Sequence, residues 1–206
     1  MNCIDRQSRS LIPDANELAD FLEVESCVPQ SQLIVSQMLD PLRDALSTGG
    51  KKIRFEMIEM AFQSLGGVLN EEQKRRLKVC EQIIEGLHLG SMIIDDIQDQ
   101  SKVRRGRPTF HRKYGVDVAI NAGNWLYFQA IQQIQFLGLE PNPEIILNRR
   151  LNEVLIKAHF GQGIDVGVNM NTLPQNLVES VYFTAVELKT GALMALAFEL
   201  GAAVAG

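Results

Sequence analysis

From Leu33 onward, apolar residues recur at spacings of three and four along nearly the whole chain, and the β-branched alternation of strands is missing. Such a period gives each segment one buried stripe, so the expected fold class is all-α. Gly and Pro punctuate the pattern at Thr48 to Gly50, Gly66 to Asn70, Gly138 to Pro143 and Asn169 to Pro174. Helices of roughly 15 to 30 residues are expected between these breaks. Asn70 followed by Glu71, Glu72 and Gln73 reads as a helix start, because Asn can accept from free backbone N–H groups and acids suit the positive end of the helix dipole. The helix that follows is expected to turn Ile83, Ile84, Leu87, Met92 and Ile94 inward. Residues 1–30 are the least periodic and form a poorly patterned N-terminal segment; 31–206 carry the domain pattern.

Composition narrows the function classes. The 206 residues are 46% hydrophobic, enough for one well-filled core. A net charge of −5 argues against a nucleic-acid protein, whose surface would be basic. Cys3, Cys27 and Cys80 are too scattered for a disulfide framework or a zinc site, which points to a reducing, cytoplasmic setting. The first ten residues lack a signal pattern, and no run approaches the roughly 18 apolar residues of a membrane span, so a soluble protein without a transmembrane segment is expected. The small, apolar run Leu193 to Gly206 calls for cover by another segment or another subunit.

Asp95-Asp96-Ile97-Gln98-Asp99 follows the apolar stretch Leu87 to Ile94 and turns a buried helix into an acidic end. Asp95 and Asp99, four apart, share a helix face with Asp96 beside them. The carboxylates repel one another unless a cation lies between them, and oxygen-only ligation with room for water and phosphate suits Mg²⁺. The plainer reading is a solvated acidic face; the basic run Lys102, Arg104, Arg105 and Arg107 directly after it weighs against that. Aspartates followed by adjacent guanidiniums suit an anion gripped by metal on one side and Arg forks on the other, a diphosphate being the natural candidate. The alternative is a surface loop whose arginines merely pair with the aspartates. A second cluster, Gly49-Gly50-Lys51-Lys52-Ile53-Arg54, runs from a Gly-rich turn into a helix start and could offer Lys51, Arg54 and backbone N–H groups to phosphate. It is not a P-loop, since Lys51 precedes another Lys.

The ordered series GGKKIR, EGLHLGSMIIDDIQD, RRGRPTFH, GQGID and KT, spanning roughly residues 33 to 206, resembles the polyprenyl synthetase family of trans-isoprenyl diphosphate synthases, including the geranylgeranyl and farnesyl diphosphate synthases. The resemblance implies an isoprenoid synthase-type helical bundle around a central cavity. It implies a Mg²⁺-dependent prenyltransferase that condenses isopentenyl diphosphate with an allylic diphosphate. Asp95 and Asp99 would be Mg²⁺ ligands, Asp96 would support them, and Arg104 would hold the allylic diphosphate. Lys51, Arg54, His88 and Arg105 match positions for the isopentenyl diphosphate. Gln162 and Asp165 match the pair lining the cavity, and Lys189 with Thr190 the pair that contacts the allylic diphosphate. Gly90 and Ser91, five and four residues before Asp95, would lie one turn below the metals on the path of the growing chain. Their small size implies a geranylgeranyl or longer product, unless Leu87, Trp125, Tyr127 or Phe128 closes the path. A homodimer is implied, with Val116 to Ile134 as a plausible interface helix.

The family carries a second aspartate-rich motif on a later helix, which the 206 residues do not contain, so the resemblance covers a synthase domain incomplete at its C-terminus. Phe55 stands where the family usually has Pro, and Ile94 where many relatives have His. Two competing functions differ in what they need. A class I terpene cyclase has no use for a second diphosphate site, and a non-catalytic regulatory subunit has little reason to keep the aspartates and both basic clusters.

Overall fold

The computed structural model describes residues 10–21, 28–47 and 53–205. In chain order these form α1 (Ala15–Phe21), α2 (Val28–Ile34), a π turn, α3 (Asp40–Ser47), α4 (Ile53–Ser64), α5 (Glu71–Gln98), a hairpin of β1 (Val103–Arg104) and β2 (Arg107–Pro108), and α6 (Phe110–Tyr114). There follow α7 (Val116–Gln133), α8 (Pro141–Gly167), α9 (Gln175–Val186), a second π turn at Glu187–Gly191 and α10 (Ala192–Ala203). The all-α expectation holds, and the helix breaks at Gly66 to Asn70 and Asn169 to Pro174 fall between helices; of Gly138 to Pro143 only Gly138 to Glu140 is a break, since Pro141 and Pro143 lie in the first turn of α8, and Thr48 to Gly50 lies outside the described residues. Chain contacts divide the fold into two compact units, with α5 giving its second half to the first and its first half to the second.

The first unit comprises 1–52 and 85–136. Its core gathers Leu11, Ile12, Leu18, Leu39, Leu42, Leu89, Ile93, Phe110, Ala119, Ala122 and Leu126. Leu11, Ile12 and Leu18 come from the segment read as poorly patterned: two apolar residues ahead of a short helix are too few to show a period, yet they are buried. Asp14 and Glu17 form a reciprocal capping box at α1, Asp14 Oδ1 accepting from the Glu17 N–H at 2.9 Å and Glu17 Oε2 from the Asp14 N–H at 2.9 Å. On α5 it is Ile93 that is fully buried, while Met92 and Ile94 are only partly so. Ile83, Ile84 and Leu87 are buried as expected.

The second unit comprises 53–84 and 137–206. Asn70 caps α5, its Oδ1 accepting from the Gln73 N–H at 2.8 Å. Arg75 and Arg76 both reach Glu72, which holds that carboxyl down to about 2. Arg76 also donates to the Gly138 carbonyl at 3.1 Å, tying the start of α5 to the turn before α8. The apolar end that called for cover finds much of it within the chain: α10 packs on α4 and α8, burying Leu193, Leu196, Ala197, Leu200 and Gly201. Gly201 permits this, since a Cβ there would lie 2.2 Å from the Ile58 carbonyl oxygen. Arg150 on α8 grips Glu199 on α10 through two hydrogen bonds of 2.7 and 2.9 Å. By length and composition alone Gln175–Ala203 could cross a membrane; within it Lys189 and Glu199 are ion-paired and one stripe of α10 is core.

Cys80 is fully buried on α5, its thiol directed at the Leu200 carbonyl at 3.8 Å. Burial pushes the thiol up to about 12 from 9.0. Folding thus favours the protonated form, a contribution present below pH 9.0 and lost as pH rises toward 12. Alkylation at pH 8 followed by peptide mapping is expected to modify Cys80 only at the rate of unfolding; rapid modification in the folded protein would contradict this burial.

Candidate functional site

In the first unit the site is built on the C-terminal end of α5. Gln100 adopts a left-handed conformation with φ 53°, the Ser101 N–H donates to the Asp96 carbonyl at 2.9 Å, and the Gln100 N–H donates to Ile97 at 3.1 Å. These bonds make a Schellman ending. Asp95, Asp96 and Asp99 therefore occupy the negative end of the helix dipole, where acids are disfavoured, and each adds to the need for a cation. One cation comes from the chain. Arg105 and Gly106 are consecutive residues with positive φ, 52° and 77°, the signature of the two-residue turn that folds β1 back on β2. In that hairpin Arg104 faces Arg107 across the ladder. Arg104 Nε donates to both oxygens of Asp96 at 2.9 Å, and Nη2 lies 3.3 Å from Asp95 Oδ2. Asp96 is only 4% exposed, and a buried carboxylate needs such a partner. The same hydrogen bond, ahead of the opposing cost of burial, raises the Arg104 pKa.

Sequence spacing placed the three aspartates together, but the structure separates their roles by direction. Asp95 and Asp99 share a face, and Asp96 turns to Arg104. Among the described residues no set of three or more His, Cys, Asp or Glu converges on one point. Two carboxylates from one helix face are a fitting partial set for Mg²⁺, which takes one or two carboxylates and completes its octahedron with water and substrate phosphate.

Below the aspartates, His88 and Ser91 lie on the Asp95 side of α5, both half-buried, with Ser91 Oγ donating to the His88 carbonyl at 2.8 Å. Gly90 does not join them. Five residues from Asp95 is a turn of about 140° around the helix, and Gly90 meets α7 instead: a Cβ there would lie 2.8 Å from the Gly123 carbonyl oxygen and 3.3 Å from the Tyr127 ring. Gly90 is buried there, and its small size serves a helix crossing. Of the four residues that could close the path, Phe128 is 70% exposed and points outward, Trp125 packs against the core, and Leu87 is fully buried. Tyr127 stands beside Gly90, with its phenol pushed up to about 12 by burial and then by the charge of Asp95. It stays protonated at neutral pH.

In the second unit, Arg54 sits half-buried in the first turn of α4, directly after the Gly-rich segment. Lys51 lies outside the described residues. Gln162 and Asp165 are on α8, and Lys189 and Thr190 are on the π turn between α9 and α10. Lys189 Nζ binds Asp165 Oδ2 at 2.6 Å. Sequence reasoning missed what brings them together: Gly161 is the contact point, since a Cβ there would lie 2.4 Å from the Lys189 backbone N and 2.9 Å from the Ala185 carbonyl oxygen. The Gly preceding Gln162 was the available signal. A π turn spends an extra residue in a helix and often marks a functional position. Here it carries Lys189 and Thr190 and packs against α8.

The family model for polyprenyl synthetases matches residues 35–206. A geranylgeranyl pyrophosphate synthase of Metarhizium anisopliae is 35% identical over 197 residues, covering 91% of this chain and 56% of that protein. One of Clitopilus passeckerianus is 38% identical over 120 residues, 57% of this chain and 34% of that protein. Among solved structures, the geranylgeranyl pyrophosphate synthetase of the archaeon Geoglobus acetivorans is similar with a TM-score of 0.72 and 26% identity, covering 92% of this chain and 57% of that one. The chain spans about half the length of the curated relatives it matches. With the aspartates at the end of α5, the Arg hairpin and the Lys189 turn in place, the chain belongs to the polyprenyl synthetase family and has the isoprenoid synthase helical fold.

Proposed function

We propose that this chain is the diphosphate-binding part of a Mg²⁺-dependent prenyltransferase that joins isopentenyl diphosphate to an allylic diphosphate, giving a geranylgeranyl or longer product. The observation that carries the reading is the end of α5, where two carboxylates share a face beside a guanidinium already oriented by a third. Asp95 and Asp99 would hold the metal, which when bound supplies Lewis-acid stabilisation of the departing diphosphate oxygens. By the family resemblance Arg104 and Lys189 would serve the allylic diphosphate and Lys51, Arg54, His88 and Arg105 the isopentenyl diphosphate, as donors that stabilise charge on the diphosphate oxygens. By the same resemblance Gln162 and Asp165 would line the cavity, and Thr190 would add a hydroxyl beside Lys189. No protein nucleophile is called for: the allylic cation is attacked by the second substrate's double bond, and released diphosphate takes the final proton.

The relatives named as geranylgeranyl pyrophosphate synthases support a product of that length, as does the small Ser91 on the Asp95 side of α5. Ser91→Phe is expected to shorten the product by at least one isoprene unit, read by chromatography of the dephosphorylated alcohols; an unchanged product would remove Ser91 from the path. A homodimer is supported by α7, whose Val116, Ile120 and Phe128 leave an exposed apolar stripe at helical spacing. The chain and any longer polypeptide that contains it should be incubated with Mg²⁺, labelled isopentenyl diphosphate and allylic primers of increasing length. Elongated diphosphates establish the reading. Hydrocarbon from an allylic diphosphate alone would identify a cyclase, and inactivity alongside an active partner synthase would identify a regulatory subunit.

A further inference from the structure

We infer that Asp96 serves Arg104 rather than the metal, and that Asp96 and Thr109 together form a clasp that presents the Arg104 guanidinium to an incoming diphosphate. The inference rests on the proposed function and divides its aspartate cluster into two ligands and one positioning residue.

The clasp is a closed loop of contacts that starts and ends at Asp96. The Asp96 carbonyl accepts the Ser101 N–H at 2.9 Å. The Ser101 carbonyl accepts the Thr109 hydroxyl at 2.7 Å, and the Thr109 N–H donates to Lys102 at 3.2 Å. Between those anchors the hairpin turns through Arg105 and Gly106 and returns Arg104 to the Asp96 carboxylate. Thr109 is buried, and the next residue, Phe110, is part of the core of the same unit. The hairpin base is therefore tied at both ends, and Arg104 is the guanidinium it turns toward Asp96.

Commitment and access distinguish the two acidic roles. Both Asp96 oxygens accept from Nε, Oδ1 also lies 2.8 Å from Nη2, and the carboxylate side chain is 5% exposed. A metal with its water shell could use this carboxylate only after stripping a buried ion pair. The Arg104 side chain is 37% exposed, so an anion can approach it while its Nε edge stays bound. The contact to Asp95 is the longer one at 3.3 Å, and releasing it would cost Arg104 least.

The test uses the full chain, inorganic diphosphate and Mg²⁺. In wild type the Arg104 Nε–H resonance, identified by its loss in Arg104→Lys, is expected to exchange slowly and to persist when Mg²⁺ and diphosphate are added. Its disappearance on that addition would mean that Asp96 leaves Arg104 for the metal, which overturns the inference without any variant of Asp96. By calorimetry Asp96→Asn is expected to weaken diphosphate binding by about tenfold with the Mg²⁺ midpoint unchanged, and Thr109→Val to weaken it less while speeding Nε–H exchange. Asp95→Asn should instead raise the Mg²⁺ midpoint. If Asp96→Asn raises that midpoint as Asp95→Asn does, or leaves diphosphate binding untouched, Asp96 is no positioning residue. Wild type that binds no diphosphate would bring down the proposed function and the clasp with it, whereas normal wild-type binding that ignores Asp96→Asn sinks the clasp alone.

Discussion

Asp95→Asn is expected to lower chain elongation by about a thousandfold or more, the scale of several kcal/mol of lost charge stabilisation on a leaving diphosphate. The substitution keeps the shape and the neighbours of the side chain, and it removes one negative charge from the crowded end of α5. Helix stability should therefore hold or rise slightly, because Asp95 and Asp99 are like charges four residues apart at the negative end of the dipole. A variant that is as stable as wild type yet inactive is the diagnostic result. Single-turnover elongation measured across a range of Mg²⁺ concentrations separates the possibilities: recovery at high Mg²⁺ marks a weakened ligand, and full activity at every concentration would refute the metal role of Asp95.

The second large effect concerns stability. Gly201→Val would place a Cβ 2.2 Å from the backbone oxygen of Ile58 and a branched side chain against Ala61, so α10 must lift from α4. Backbone cannot yield as a side-chain tip can, and overpacking of this kind costs about 3 kcal/mol or more. The denaturant midpoint of Gly201→Val should fall steeply. Gly163→Ala is the matching control: it lies within α8 with open space around it, and gains up to about 1 kcal/mol from helix propensity. Equal midpoints for the two variants would show that α10 does not pack on α4 as described.

The breaks before α5, α8 and α9 were legible because they are written in Gly and Pro, whereas the hairpin after α5 and the short α1, α2 and α6 were not. The Asn70 cap and the burial of Ile83, Ile84 and Leu87 follow from local rules that α5 obeys. Where neighbours decide, the period was a poor guide. Ile93 rather than Ile94 is fully buried, and Gly90, set apart from Asp95 by helical pitch alone, meets α7. Leu11 and Ile12 had no period to announce them, and only the core they enter reveals their part.

The chemistry was similarly divided. Residue type and spacing alone determined that this chain has a carboxylate cluster at a helix end, cationic runs before and after it in the sequence and a family pattern that unites them, because charge and helical pitch are local properties. Only the tertiary structure decided that Asp96 faces Arg104, that Gly161 brings α8 against the turn carrying Lys189, and that Tyr127 stands beside Gly90. Those outcomes depend on which surfaces meet, and close approach between residues far apart in the chain is set by packing, which no short stretch of sequence encodes by itself.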